Sequence, residues 1–221
     1  MKLFGTDGVR GRAGEPPLDE RTITRLGAAL ARQTARFGTA QAGPTRMRVL
    51  VGRDTRESGL WIERALARGL MSEGADVTSA GLAPTPEVAY LTRTGPFDAG
   101  LVISASHNPY EDNGIKIFSG AGEKLVGSFE SEIEAIVADS SWDVPSGEAP
   151  AYRLADFSGA YLTHLQDILV DAGSLRGATV VVDCAHGATT ALAPRLIESL
   201  GLDVRAIGVT PNGRNINLEC G

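Results

Sequence analysis

Apolar positions along the chain alternate between two periods. Ile23, Leu26 and Leu30 recur at helical spacing after Pro16, Pro17 and Asp19, and predict a helix running to about Phe37 with Gly38 as its stop. Gln41 to Thr45 reads as a loop, and Met47–Val51 as a short strand. Ile62, Leu66 and Leu70 stand four apart and predict a helix over 58–73, ended by Gly74. Asp76–Ala80 is the next strand, Pro84-Thr85-Pro86 a turn, and Glu87–Thr92 a short helix started by proline. Ala99–Ser104 is a continuous apolar run up to its last residue, the pattern of a strand buried on both faces in a parallel sheet. Ile115–Phe118 is a further strand. Phe129–Val137 is a helix with Phe129, Ile133 and Ile136/Val137 inward.

Residues 140–151, SSWDVPSGEAPA, are rich in Pro, Gly and Ser and read as an interdomain linker. A second cycle follows: helix 156–172, strand Ala178–Asp183, a helix from about Thr190 to Leu200, and strand Asp203–Gly208. Pro194 lies deep in that last helix, so its true start is expected nearer the proline. The fold class expected is α/β, a mixed or parallel sheet layered with helices. One complete domain (1–152) is followed by part of a second, similar one (153–221). The second unit, roughly 70 residues, is small for an independent α/β domain, and its strands are expected to expose apolar faces.

Composition narrows the function. Hydrophobic residues make up 43% and charged residues 22%, enough for a globular core. The net charge of −6 disfavours nucleic acid, which rewards basic faces, but allows a small phosphorylated ligand in a local cationic pocket. No apolar run approaches the roughly 20 residues of a membrane span. MKLFGTDGVRG is not the pattern of a secretory leader. Cys184 and Cys220 lack CxxC spacing and read as free thiols in a reducing, cytoplasmic setting.

The stretch VISASHNPYEDNGIKIFS (102–119) concentrates the chemistry. A serine at the C-terminal end of a buried strand sits where open α/β sheets place ligands, so Ser104 or Ser106 is a candidate nucleophile. The hydrolase reading needs GxSxG, and Ser-Ala-Ser-His-Asn lacks that elbow. Neighbouring Ser106 and His107 would point opposite ways in an extended chain, so a triad is not expected. The other option is a phosphoryl group on the serine, whose three acceptor oxygens need cations. His107, Lys116 and, from the glycine-rich N-terminus, Arg10 are available. Asp112-Asn113-Gly114 reads as a tight turn, Gly114 at positive φ, returning Lys116 toward the serine. The same residue types build ordinary polar loops, and residue types alone leave that alternative open.

Four blocks change the balance: FGTDGVRG (4–11), SASHNPYEDNGIKIFSGAGEKL (104–125), VVDCAHGAT (181–189) and GVTPNGRNINLECG (208–221). Together, and in this order, they resemble the α-D-phosphohexomutases over essentially the whole chain. The resemblance implies that Ser106 carries the phosphoryl group, donates it to a sugar, and recovers one after the intermediate turns around. It implies interconversion of glucosamine 6-phosphate and glucosamine 1-phosphate, toward UDP-N-acetylglucosamine and peptidoglycan. The partner would be a phosphorylated amino sugar, with a homodimer as the expected assembly. Mg²⁺ is the implied metal, with Ser106 a ligand through its phosphate oxygen. Arg10 and Lys116 match basic positions of the family's active site, and His107 belongs to the same loop.

Physical chemistry fits those roles, since phosphoryl transfer is mostly positioning and charge neutralisation. Lys116 would act as general base if its surroundings favour the neutral amine. Arg10 has the donor fork that clamps oxygen atoms, and His107 is expected in phosphate contact or in loop structure rather than in proton transfer. Ser104 is read as a strand-end hydroxyl. Arg53-Asp54-Thr55-Arg56 is read as a turn in which Asp54 or Thr55 caps the next helix, and Asp183 and His186 as structural.

The resemblance further implies a protein of four domains. Its Asp-Gly-Asp-Gly-Asp metal loop, sugar-selecting loop and phosphate-gripping domain are not among these residues, so 1–221 alone is expected to be inactive or nearly so. The competing readings are a relative acting on mannose or glucose phosphates and a truncated, non-catalytic interaction domain.

Overall fold

A computed structural model describes residues 2–37, 46–125, 127–169 and 175–220. The elements run β1 (Phe4–Gly5), β2 (Gly8–Arg12), α1 (Glu20–Phe37), β3 (Arg48–Arg53), α2 (Gly59–Ser72), β4 (Asp76–Leu82), α3 (Thr85–Thr94), β5 (Ala99–Ile103) and β6 (Asp112–Ser119). They continue with α4 (Ser128–Ala138), β7 (Arg153–Leu154), α5 (Ser158–Ile168), β8 (Thr179–Asp183), α6 (Ala193–Ser199) and β9 (Asp203–Ile207). The Gly38 stop, the 41–45 loop and residues 170–172 of the predicted 156–172 helix lie outside the described residues. The helix around Pro194 starts at Ala193, which puts the proline in the first turn, where its missing N–H costs nothing.

Alternation on two central strands decides the layering. Val49 and Val51 of β3 and Leu101 and Ile103 of β5 join one apolar cluster with α1, α2 and α4. Leu50 and Val102, between them in sequence, join a second cluster with Val88 and Leu91 of α3. Both faces of the sheet are therefore covered, and β5 is buried along its length. Seven strands are ordered β1-β2-β6-β5-β3-β4-β7. β5, β3, β4 and β7 are parallel, whereas β1, β2, β6 and β5 pair antiparallel, so the sheet is mixed as expected.

Asp112-Asn113-Gly114 is not a turn. These residues open β6 and pair with Arg12, Gly11 and Arg10 of β2. Gly114 is not at positive φ; it is needed for close approach, because a Cβ there would stand 2.8 Å from the Ser104 carbonyl oxygen and 3.0 Å from that of Val9. Turn-forming residue types were outweighed by ladder hydrogen bonds to a strand a hundred residues earlier.

α1 and α2 pack closely along a seam of small residues. A Cβ on Gly69 would run into the Thr24 carbonyl, and one on Gly27 into the Leu66 carbonyl. The Pro/Gly/Ser-rich stretch after α4 is strapped onto this layer. Buried Arg25 donates to the carbonyls of Val137 (3.0 Å), Trp142 (2.7 Å) and Asp139, and its guanidinium lies 4.1 Å from the Trp142 ring centre. Arg32 stacks on the same ring at 3.8 Å. The strap then enters β7, which pairs with Thr78 and Ser79 at the sheet edge.

Beyond it, β8 and β9 form a separate parallel pair. Val181 is 65% exposed and Ile207 52%, so this ribbon shows apolar side chains to solvent, as the sequence suggested. Among the described residues, no helix is long and apolar enough to cross a membrane.

Candidate active site

The loop after β5 is held by its backbone. Ser104 N–H donates to Gly114 O at 2.9 Å, continuing the β5–β6 ladder, and its hydroxyl accepts from Ser106 N–H at 3.1 Å. Ala105 is buried and Ser106 is exposed. Ser106 has φ 57°, the left-handed region that non-glycine residues adopt when their surroundings enforce it. The loop is thus not extended, and strand alternation does not govern how Ser106 and His107 are disposed.

Enforcement comes from two side chains. The Ser106 carbonyl accepts from Arg56 Nη2 at 2.9 Å and Asn217 Nδ2 at 2.8 Å. The Asn108 carbonyl accepts from the same two groups at 3.0 and 3.1 Å, and Pro109 O from Arg56 Nη1 at 2.5 Å. The Arg56 side chain is fully buried. Its charge is met by Asp54, whose Oδ2 accepts from Arg56 Nε at 3.0 Å. A guanidinium with five donors in a fixed fork can read three carbonyls and a carboxylate together.

The cations arrive by strand register rather than by a turn. Arg10 pairs with Gly114, which also receives the Ser104 hydrogen bond, so Arg10, Gly114 and Ser104 form one row across the sheet. Lys116, two residues along β6, lies on the same face, while Ile115 and Ile117 point into the opposite core. Lys116 Nζ is 2.9 Å from Asp7 Oδ2, Arg10 contacts the same oxygen, and Lys124 Nζ lies 3.9 Å from Asp7 Oδ1. Burial pushes the Asp7 carboxyl up, but the Lys116 hydrogen bond and charge, with Arg10 beside them, outweigh it and hold Asp7 below its usual 3.8. Three cations around one carboxylate leave a net positive patch. Among the described residues, the buried Arg10 Nε has no hydrogen-bond partner. Of the predicted site residues, Arg10 and Lys116 are brought together, Ser106 projects from the adjacent loop, and His107 is exposed on that loop.

Sequence reasoning missed Asp7, Lys124, Arg56 and Asn217. Asp7 stands three residues before Arg10 in FGTDGVRG, a spacing that offered a signal; Asn217 offered none. The capping expectation is corrected. The residue before α2 is Ser58, and neither Asp54 nor Thr55 caps the helix. Asp54 serves Arg56, and the Thr55 hydroxyl donates to His186 O at 2.5 Å. Asp183 Oδ1 accepts from Ala185 N–H at 2.9 Å, and His186 Nδ1 from Thr210 N–H at 3.1 Å, turn-holding roles that match the structural reading. Cys184 is a buried thiol, pushed up by that burial, whereas Cys220 is part-exposed.

The residues present do not by themselves make a magnesium site. A phosphate on Ser106 would supply oxygens from a single ligand group. Asp7 is already engaged by cations, and among the described residues no group of three or more His, Cys, Asp or Glu side chains could hold an ion.

Residues 1–143 match the family model for phosphoglucomutase/phosphomannomutase, alpha/beta/alpha domain I. The chain is 48% identical over 217 residues to a phosphoglucosamine mutase of Burkholderia thailandensis, covering 98% of this chain and 48% of that protein. It is also 48% identical over 221 residues to a phosphoglucosamine mutase of Idiomarina loihiensis, again covering 48% of the relative. The chain thus spans about half the length of these curated relatives. The crystal structure of a phosphoglucomutase/phosphomannomutase family protein from Burkholderia thailandensis superposes with a TM-score of 0.77 at 28% identity, over 96% of this chain and 45% of that one. The mixed sheet, the pinned serine loop and these likenesses agree, and the chain belongs to the phosphoglucomutase/phosphomannomutase family.

Proposed function

We propose that these residues are part of a cytoplasmic phosphoglucosamine mutase working through a phosphoserine at Ser106. A phosphoryl group on Ser106 Oγ passes to a free hydroxyl of a phosphorylated glucosamine. The sugar O–P bond forms, the serine O–P bond breaks, and the proton of the sugar hydroxyl ends on Ser106 Oγ, restoring the serine hydroxyl. The bisphosphorylated sugar turns around and returns its other phosphoryl group to Ser106, so glucosamine 6-phosphate becomes glucosamine 1-phosphate, for UDP-N-acetylglucosamine synthesis.

Arg10 and Lys116 would neutralise phosphoryl oxygens, and His107, exposed on the loop, would contact phosphate. Lys116 is ion-paired with Asp7, a pairing that suits the role of a fixed cation. The implied metal would draw its carboxylates from outside these residues.

The observation that carries the proposal is the exposed Ser106 hydroxyl on a loop whose carbonyls are pinned by Arg56 and Asn217, beside the Arg10–Asp7–Lys116 cluster. The identity of 48% to phosphoglucosamine mutases favours an amino sugar over mannose or glucose phosphates. The test is a mutase assay on the protein expressed from its complete reading frame, offered glucosamine, glucose and mannose 6-phosphates. Turnover should be fastest with glucosamine. Ser106→Ala should lose both turnover and a one-phosphoryl mass increment, and the isolated 1–221 chain should be inactive or nearly so. An active Ser106→Ala protein, or a clear preference for glucose or mannose, overturns the assignment.

A further inference from the structure

The second unit reaches the reactive loop through the side-chain amide of Asn217. Asn217 Nδ2 has two hydrogens, and both are used: one on the Ser106 carbonyl at 2.8 Å, the other on that of Asn108 at 3.1 Å. Arg56 reaches the same two carbonyls from inside the first unit. A carbonyl oxygen has two lone pairs, so each of these carbonyls is shared between a donor from either unit. Loss of the Asn217 contact would halve the side-chain hydrogen bonds on the carbonyl of the residue that is expected to react.

Asn217 is itself placed with care. Its φ is 62°, a left-handed conformation that asparagine tolerates better than most residues, and its N–H donates to Ala185 O at 2.9 Å. Ala185 and His186 are also left-handed, at φ 48° and 51°, in a turn held by Asp183 Oδ1 on Ala185 N–H and Gly208 O on His186 N–H at 2.6 Å. That turn is docked on the first unit by Thr55, and the following segment by Glu57 N–H to Gly213 O at 2.9 Å and by Arg214 Nε to Glu57 Oε2 at 2.7 Å. Thr55 and Glu57 flank Arg56. The second unit is therefore seated directly on the residue that clamps the loop, and its own donor completes the clamp.

We propose that Asn217 is a positioning residue of the phosphoryl-transfer site. It makes the left-handed setting of Ser106 conditional on the docking of the second unit. The inference rests on the mutase reading above, in which Ser106 is the reacting group. Asn217 touches backbone alone, so its effect belongs to the orientation of Ser106 rather than to sugar binding.

The experiment uses the protein from its complete reading frame, with Ser106→Ala, Asn217→Gly and Asn217→Asp variants. Glycine keeps the positive φ without strain and removes only the amide. Aspartate keeps the shape but sets a carboxylate oxygen against two carbonyl oxygens. With glucosamine 6-phosphate, kcat per folded molecule should fall about tenfold in Asn217→Gly and further in Asn217→Asp, with KM within about twofold of the parent. A merely structural residue would lower melting temperature while leaving kcat per folded molecule unchanged. Parental kcat in both Asn217 variants, beside an inactive Ser106→Ala, overturns the positioning role and leaves the mutase reading standing. Should one Asn217 variant fail to fold, the other decides. An active Ser106→Ala overturns the mutase reading and this inference with it.

Discussion

Lys116 Nζ lies 2.9 Å from Asp7 Oδ2, so a cation that the sequence marks out for phosphate already has a counter-ion. A phosphoryl group bound there would have to compete with that carboxylate for Lys116 and Arg10. The carboxylate in return keeps two like charges together on one sheet face before any ligand arrives.

Asp7→Asn should separate these effects. Removing the competitor should lower KM for a sugar phosphate severalfold, while loss of the preset cation geometry lowers kcat; steady-state kinetics read both. The acid limb of stability supplies a second measurement. Because the folded-state value of Asp7 is depressed, its ion pairs stabilise the fold above its ordinary value of 3.8, and the contribution fades as pH falls through the lower folded value. Parent and variant should therefore differ near neutrality and converge in acid.

Arg56→Lys should be severe despite the retained charge. An ammonium cannot reproduce a fork that meets Asp54 and three carbonyls, and Asp54, only 4% exposed, would be left poorly paired. A loss of about 3 kcal/mol is expected in urea unfolding, together with loss of turnover.

Glu87 gives a pH effect of opposite sign. It is 2% exposed, one carboxyl oxygen lacks a partner among the described residues, and burial, with Asp156 nearby, pushes it up to about 7. The folded state then binds the proton more tightly than the unfolded chain, whose value is near 4.5. Stability should fall as pH rises from about 4.5 to 7. Glu87→Gln removes this term, so its melting temperature relative to the parent should climb between pH 5 and pH 8, by the equivalent of about 1–3 kcal/mol. An offset that stays flat with pH would refute the assignment.

Gly69→Ala tests the α1–α2 seam. The added methyl meets the Thr24 carbonyl, a backbone atom that yields only if the helices part. Destabilisation of about 2–3 kcal/mol is expected in denaturant unfolding.

The sequence was legible where burial is periodic. Ile23, Leu26 and Leu30, and Ile62, Leu66 and Leu70, are all buried, and their spacing located α1 and α2. The uninterrupted run of β5 correctly announced cover on both faces. Legibility failed where a residue's role depends on a distant partner. Asp112-Asn113-Gly114 has the composition of a turn, and only β2 makes it a strand. Arg56 has the identity of a surface residue yet is almost wholly buried, because the carbonyls it serves lie some fifty residues away. Asn217 is 111 residues from Ser106, beyond the reach of any local pattern. Ser106, Arg10 and Lys116 could be singled out from motifs as candidates, but the scaffold that holds them could not.

The two-stranded β8–β9 ribbon, with alternate side chains in water along both strands, should be the part of the fold that opens most easily. Asn217 hangs from that ribbon through Ala185. Warming or mild denaturant should consequently unfasten the serine loop while the seven-stranded sheet is still intact. Inactivation would then precede melting, and amide hydrogen exchange would show the order: early around 179–207, late across β3 and β5.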